Sequence, residues 1–394
     1  MKRSTDRILT THAGSLIRTP PIVEGFKAKM THKPYDAEAL NADIHKGIME
    51  VVRKQAEVGV DIPSDGEFSK PNFGRYIAER LSGIESRPAE RGQEQPAGNS
   101  ILNEAFPGFM AQYNKMYQTM WVDPSISRDG WEDEQPESYV TTGPLSYKGQ
   151  AAVTKDIQTF REAMQGHNFT EAFITASVPS IGYPDPDHIY PTQEAYLEAV
   201  ADALHEEYRA IVDAGFLVQL DLGLPARTNP TPEARRNSEK QVEMYNHALR
   251  GIPEDRVRYH ICWGSMNTPH TTDIPLREVV DLILKINAQA YSIEAANPRH
   301  EHEWMVWQDV KLPEGKILMP GVISHQTNVV EHPELVAWRI KNFASVIGRE
   351  NVIAGTDCGF SQSYERARVH PEVQWAKLSA LAEGAALASK DLWR

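Results

Sequence analysis

Two cysteines in 394 residues, Cys262 and Cys358, are too few to staple a chain of this size, and each falls in a short run of strand-forming residues. Cys262 belongs to Val257–Trp263 (VRYHICW), where His260 stands two positions before it. Side chains two apart on a strand point to one face, so this imidazole and thiol could grip a single ion. Cys358 ends the run Asn351–Cys358 (NVIAGTDC), and Glu294 lies near the end of Ala290–Ala295 (AYSIEA). Together they form a His/Cys/Glu/Cys set that uses every cysteine in the chain. Thiolate and imidazole suit zinc (Zn2+), and a carboxylate is a labile fourth ligand that can yield to a substrate. Taken singly, a lone cysteine is most often a small buried hydrophobe and a strand-end histidine a hydrogen-bonded one. It is their joint position that points to a metal centre.

For these side chains to meet, their strands must lie side by side with the same ends together. Nine runs qualify: Ile8–Ser15, Val60–Glu67, Tyr139–Leu145, Ala172–Val178, Phe216–Leu222, Val257–Trp263, Ala290–Ala295, Ile317–Ser324 and Asn351–Cys358. Helical patterns separate them at Ala37–Glu57, Gln193–Ala214, Pro275–Ala288, His332–Ile347 and Pro371–Ser389, with Gly59 and Gly215 placed as C-caps. Ala226–Lys240 reads as a loop entering a helix. Strand and helix in alternation indicate an α/β protein with a parallel sheet, and the expectation is one (β/α)8 TIM-type barrel spanning residues 1–394. Nine runs exceed eight strands, and Tyr139–Leu145 is the one to demote. Residues 85–137 break the alternation and read as an insertion, lid-like in its excursion from the barrel. The polar residues Ser15, Asp65, Glu67, Asp221, His260, Glu294 and Asp357 gather at the C-terminal ends of the runs, where parallel barrels carry their active sites.

Composition narrows the partners. Lys+Arg 41 against Asp+Glu 54 leaves a net charge of −13 and no basic run, which argues against a nucleic acid or a membrane surface as partner. No apolar stretch is long enough to span a bilayer, and the start MKRSTDRILTTHAGS has no apolar export core. A reducing cytoplasm is the expected location. A homo-oligomer is left open.

The segments THAGS, DGE, VQLD, HIC, SIE and TDCG, in this order, resemble the catalytic barrel of cobalamin-independent methionine synthase and its stand-alone relatives, which include epoxyalkane:coenzyme M transferases. The resemblance runs from about residue 7 to about residue 390. It implies zinc held by His260, Cys262, Glu294 and Cys358, and homocysteine held by Gly14 and Ser15, by Glu67 and by Asp221. The implied reaction is methyl transfer from 5-methyltetrahydrofolate, or a simpler donor, to the homocysteine thiol. A thiol on zinc is deprotonated outright, whereas a free one is only a few per cent thiolate at neutral pH. Two thiolates and a carboxylate would keep the centre electron-rich, so that the bound sulfur attacks carbon, while Glu67 and Asp221 would pair with the substrate ammonium.

Opening an epoxide or releasing a folate nitrogen requires a proton donor. His325, in GVISHQTN, stands one residue from the family's histidine in a GVxDIHS-like stretch and is the candidate, with Asp221 as second catalytic carboxylate. Tyr183 falls near the family's pterin-stacking Trp. Leu220–Pro225 (LDLGLP) replaces IDEPAL and lacks the acid after the Asp; with the Trp also replaced and the family's second, N-terminal barrel missing, folate use is put in doubt more than zinc or thiol use. Thiol alkylation with coenzyme M, a non-catalytic zinc or thiol-metabolite binder, and a zinc-water hydrolase are the alternatives. Of the remaining features, His300–Glu303 (HEHE) reads as a solvated face, Phe106–Trp121 as packing of the insertion on the barrel, and His12 is left undecided.

Overall fold

The computed structural model describes residues 1–88, 100–117, 137–179, 185, 188–221 and 223–394. Its nine strands are β1 (Leu9–Thr10), β2 (Leu81–Pro88), β3 (Glu137–Tyr147), β4 (Phe173–Ala176), β5 (Leu217–Asp221), β6 (Val257–Ile261), β7 (Ala290–Ile293), β8 (Ile317–Ile323) and β9 (Ile353–Thr356). Seven make one all-parallel sheet in the order β1-β9-β8-β7-β6-β5-β4, while β2 and β3 pair antiparallel by themselves. The demotion of Tyr139–Leu145 is thereby borne out.

Alternation sorts the side chains. Leu9, Phe173, Leu217, Ala290, Ile317, Met319 and Ile353 form one apolar cluster together with Ile62. Their neighbours one residue on, such as Val218, Ile174 and Tyr291, belong instead to the large cluster shared with the helices. A sheet whose one face converges on itself in this way is curled, the architecture of a TIM-like half-barrel. Above the apolar layer on the inner face stand Thr175, Gln219 and Arg258, then the polar strand ends.

The run Val60–Glu67 forms no strand of its own. It touches the sheet through two isolated parallel bridges, Thr11 with Ile62 and Ser64 with Phe173, which attach it to β1 on one side and β4 on the other. The local reason lies in the sequence: Pro63 has no N–H to give a ladder, and Gly66 and Glu67 both take positive φ, 68° and 62°.

Helices Ala37–Glu57, Gln193–Asp213, Pro333–Ile347 and Pro371–Leu392 match the sequence pattern closely, and Asp36 and Thr192 cap the first two with side-chain acceptors. Pro275–Ala288 does not form the helix expected. It breaks into a 3-10 turn at Leu276–Glu278 and a single turn at Val280–Ile283, because Leu276, Val279, Val280, Leu282, Ile283 and Ile286 are all buried and no one helical stripe could serve them.

The β2–β3 hairpin is fixed to the barrel at its base. Helix Phe73–Arg80 runs straight into β2, and Glu207 of helix Gln193–Asp213 accepts from Tyr76 at 2.6 Å, from Tyr147 at 2.6 Å and from Arg80 at 3.3 Å. Arg80 also pairs with Asp156 at 2.5 Å. Removing the Glu207 carboxylate strands a buried guanidinium and two hydroxyls. Glu207→Ala is therefore expected to cost about 3–5 kcal/mol, read from denaturant unfolding, with Glu207→Gln milder because its amide oxygen still accepts.

Candidate metal and substrate site

The inner face of the sheet brings His260, Cys262 and Cys358 together: their ligand atoms lie within 4.8 Å of one another. The two sulfurs approach to 3.5 Å, with Cys358 donating to Cys262. β6 and β9 are three places apart in the sheet, about 14 Å if the sheet were flat, so curling is what closes the distance. The His260 ring is completely buried; its Nδ1 lies 3.0 Å from Ser292 Oγ, and its Nε2 has no hydrogen-bond partner. An imidazole whose Nδ1–H is given to an oxygen leaves the Nε2 lone pair free, the arrangement that metal-bound histidines adopt. Cys262 is partly exposed and Cys358 buried. The hydrogen bond between them holds the Cys262 thiol well below its ordinary range and Cys358 well above, so the pair shares a proton that an ion would displace. This donor set fits zinc.

Glu294 is outside that trio. Its carboxylate is buried, accepting from the Trp263 N–H at 2.9 Å and from Asn297 Nδ2 at 2.8 Å. Asp357, one of the strand-end polar residues of the sequence but given no role there, accepts at Oδ1 from the N–H groups of Ala295 and Ala296 at 2.8 and 2.7 Å. It thereby ties the residues that follow Glu294 to the residue that precedes Cys358.

A second group of polar residues lines the β1–β5 side. Gly14 has φ 129°, and a Cβ there would come within 2.5 Å of Thr175 and 2.6 Å of Glu67 Oε1, so only glycine lets the turn pass under Glu67. Ser15 Oγ accepts from the Ser361 N–H at 3.4 Å. Burial pushes the Glu67 carboxyl up to about 7 against the pull of Lys70, and Asp221 up to about 6 against the pull of His260. Lys70 is itself buried, 3.9 Å from Asp65 and 3.5 Å from the Thr175 hydroxyl. Arg18 donates to the carbonyls of Glu67 and Lys70 at 2.8 and 2.6 Å. Gln219 Nε2 reaches the Ala13 carbonyl at 2.6 Å and Asp221 at 3.5 Å. Lys70, Arg18 and Gln219 were not picked out by sequence; Gln219, two before Asp221 on the same strand face, was the most readable.

His325 is wholly buried, with Nε2 2.9 Å from Ser265 Oγ and Nδ1 unpartnered. Burial holds it near 3, so it stands as a neutral imidazole. Cys262 is among the charges that act on His325, which stands near the sulfur pair. His12 is absorbed by structure: Gln55 Oε1 lies 2.8 Å from its Nε2, and the Gly14 N–H donates to its Nδ1 at 3.2 Å. Tyr183 lies outside the described residues.

The reading of His300–Glu303 as a solvated face holds for the exposed His302 and is corrected for His300 and Glu303. His300 and Glu303 are buried, with His300 stacked on Trp263 at 4.2 Å and its nitrogens 2.8 Å from Glu303 and 3.0 Å from Asp273. Asp273 also meets His270 Nδ1 at 2.7 Å. Each residue is polar alone, but the network satisfies all of them. Only Asp273 and Trp263, about 30 residues upstream, make that visible.

No family model matches the chain. It is 24% identical over 414 residues to the uncharacterised protein YxjH of Bacillus subtilis, covering 97% of this chain and 94% of that one. To a 5-methyltetrahydropteroyltriglutamate–homocysteine methyltransferase of Thermotoga petrophila it is 22% identical over 300 residues, covering 74% of this chain; the match spans only 33% of that relative's length. Among solved structures, the B12-independent methionine synthase of Shewanella sp. W3-18-1, in complex with selenomethionine, superposes with a TM-score of 0.71 at 20% identity, over 98% of this chain and 99% of that one.

The raised carboxyls set a pH dependence. The Glu67 carboxyl ordinarily titrates near 4.5 and in the fold near 7, so between these values the unfolded chain has already lost the proton that the native state keeps. Native stability of the metal-free protein therefore falls as pH rises through this window, and Asp221 adds to the fall up to about 6. Glu67→Gln is expected to flatten it, as compared by denaturant titration at about pH 5 and about pH 8; an equally steep fall in the variant would exclude Glu67 as the source.

Proposed function

We propose, for a chain that belongs with the cobalamin-independent methionine synthases in their catalytic-barrel form, that it is a zinc-dependent S-alkyltransferase joining a methyl or other alkyl group to a small-molecule thiol. The carrying observation is the convergence of a buried His260, whose Nε2 has no hydrogen-bond partner among the described residues, with two sulfurs whose ligand atoms lie within 4.8 Å of it and of each other. Relatives in sequence carry the names 5-methyltetrahydropteroyltriglutamate–homocysteine methyltransferase and methionine synthase. Residues 1–394 are read as a single barrel, with the Ile62–Ser64 segment in the eighth strand position and an insertion at about 85–137.

His260, Cys262 and Cys358 would hold the ion, with Glu294 as the exchangeable fourth ligand. When bound, zinc supplies a thiolate at neutral pH from a substrate thiol. The chain's residues do the rest. Glu67 and Asp221 face the side where an amino acid thiol would lie, and their carboxylates pair with its ammonium once they have given up their protons. Gly14 and Ser15 shape the turn beneath. Homocysteine is on this basis the favoured acceptor. The substrate sulfur forms a bond to the alkyl carbon as the bond from that carbon to its nitrogen or oxygen breaks, and the leaving atom takes a proton. His325, neutral and 2.9 Å from Ser265, would relay to it the proton that the substrate thiol gave up. A methylated folate or a simpler methyl donor would supply the carbon; an epoxide with coenzyme M as the thiol is the second donor and acceptor pair to try. We place the protein in the cytoplasm, where its two thiols stay reduced.

Cys358→Ser is expected to lose metal and thioether formation together, the affinity loss exceeding the about 10–100-fold typical of an outer-sphere partner. Metal analysis paired with mass spectrometry of products from a panel of thiols and methyl donors checks this. A Ser variant that keeps full metal content and full turnover would remove Cys358 from the site, and wild-type protein that binds zinc and thiol yet yields no thioether with any donor would make it a binding protein.

A further inference from the structure

The short helices Ser100–Ala105 and Pro107–Tyr117 lie in sequence between β2 and β3, strands based on the side of the barrel next to β4. Their described contacts lead elsewhere. Leu102, Met110 and Tyr113 form an apolar cluster with Phe106 and with Met266 of the loop that follows β6. The Tyr113 hydroxyl accepts the Asn267 N–H at 3.0 Å. One residue before Met266 in that loop is Ser265, whose hydroxyl lies 2.9 Å from Nε2 of the buried His325. The other end of the loop is pinned by His270, which meets Asp273 at 2.7 Å and the Met266 carbonyl at 2.7 Å, and by Gln326, which donates to the Gly264 carbonyl at 3.1 Å. A short loop braced at both ends has little freedom, and the insertion supplies one of the braces.

The site has two sides. Ser15, Glu67 and Asp221 stand on β1, the Ile62–Ser64 segment and β5, whereas Ser265, His325 and Cys358 follow β6, β8 and β9. The first group offers carboxylates to an ammonium; the second offers a neutral imidazole and a hydroxyl beside the sulfur cluster. An electrophile must reach the sulfur from the side where its leaving group finds a proton. The insertion therefore grips the electrophile's side.

We propose that the insertion is a specificity element for the alkyl donor, with Tyr113 as a positioning residue that acts through Met266 and Asn267 to set Ser265 against His325. The assignment of that side to the donor rests on the alkyltransferase reading; the bracing itself does not. Its substrate class is correspondingly an electrophile whose departing nitrogen or oxygen needs a proton at His325.

The test uses full-length Tyr113→Phe, which keeps the ring in its apolar cluster and loses the hydroxyl that accepts from Asn267, and Met110→Ala, which loosens the packing on Met266 and keeps that hydroxyl. In metal-free protein, iodoacetamide labelling of Cys262 and Cys358 followed by mass spectrometry is expected to quicken about fivefold in Tyr113→Phe, the factor expected for one net hydrogen bond, while the melting temperature falls by no more than about 2–4 °C. In the zinc-loaded enzyme the KM for the alkyl donor should rise by a similar factor with the KM for the thiol unchanged. Unchanged labelling in both variants overturns the bracing. A KM effect on the thiol in place of the donor overturns the specificity role. Faster labelling in a protein that forms no thioether with any donor supports the bracing and sinks the alkyltransferase reading alone.

Discussion

Everything at the mouth of this protein depends on curvature. A pair of sulfurs 3.5 Å apart, on strands separated by two others, cannot occur in a flat sheet. The curl comes from the inner cluster: Leu9, Ile62, Phe173, Leu217, Ala290, Ile317 and Ile353 bury one another across the axis, and the outer alternates are covered by helices. Burial of this apolar layer fixes the radius at which the strand ends stand. Period-two alternation then decides what each strand presents one or two residues higher, and His260 with Cys262 is the outcome on β6. Packing low in the sheet thus sets the chemistry above it.

The same curl forces charged groups into a confined, poorly hydrated space. Glu67 and Asp221 answer by rising toward neutrality, and Lys70 and Arg18 offset part of the cost from below. Such carboxyls are poised rather than permanently ionised: a cationic ammonium arriving between them would stabilise their charged forms and release their protons. His325 is the opposite case. Buried beside no carboxylate, it stays neutral and keeps one N–H and one lone pair, which suits handing on a proton more than holding one. Two sides of one opening are tuned in different directions by the same loss of water.

Much of this was legible in the residues. The His260–Cys262 spacing needs only strand geometry, and Cys358 was conspicuous because the chain has no third cysteine. The parallel strands after residue 170 carry strong β-branched runs and were found within a residue or two. What escaped depended on partners far along the chain. Val60–Glu67 reads as a strand by composition, yet Pro63 and the left-handed Gly66 and Glu67 reduce it to two bridges. β2, LSGIESRP, has too little apolar alternation to announce itself and exists because β3 pairs with it. His300 and Glu303 looked solvated because their partners Asp273 and Trp263 are distant in sequence. Ser265 carries no signal of its own; only the distance to His325 gives it a role.

The spacing of the candidate metal ligands depends on Asp357. Its Oδ1 accepts two backbone N–H groups from the turn after Glu294, its own N–H donates to the Ile323 carbonyl at 2.9 Å, and it immediately precedes Cys358. A Cβ on Gly321 would come within 2.3 Å of that same oxygen, so β8 must carry glycine for the carboxylate to lie across it. One buried side chain therefore locks the ends of β7, β8 and β9 to each other through protein atoms alone. Ser292 meanwhile holds the His260 ring from its far side. These hydrogen bonds hold the three donor side chains from behind. On the proposed reading, a centre preorganised in this way would exchange one ligand for a substrate thiol without losing its shape.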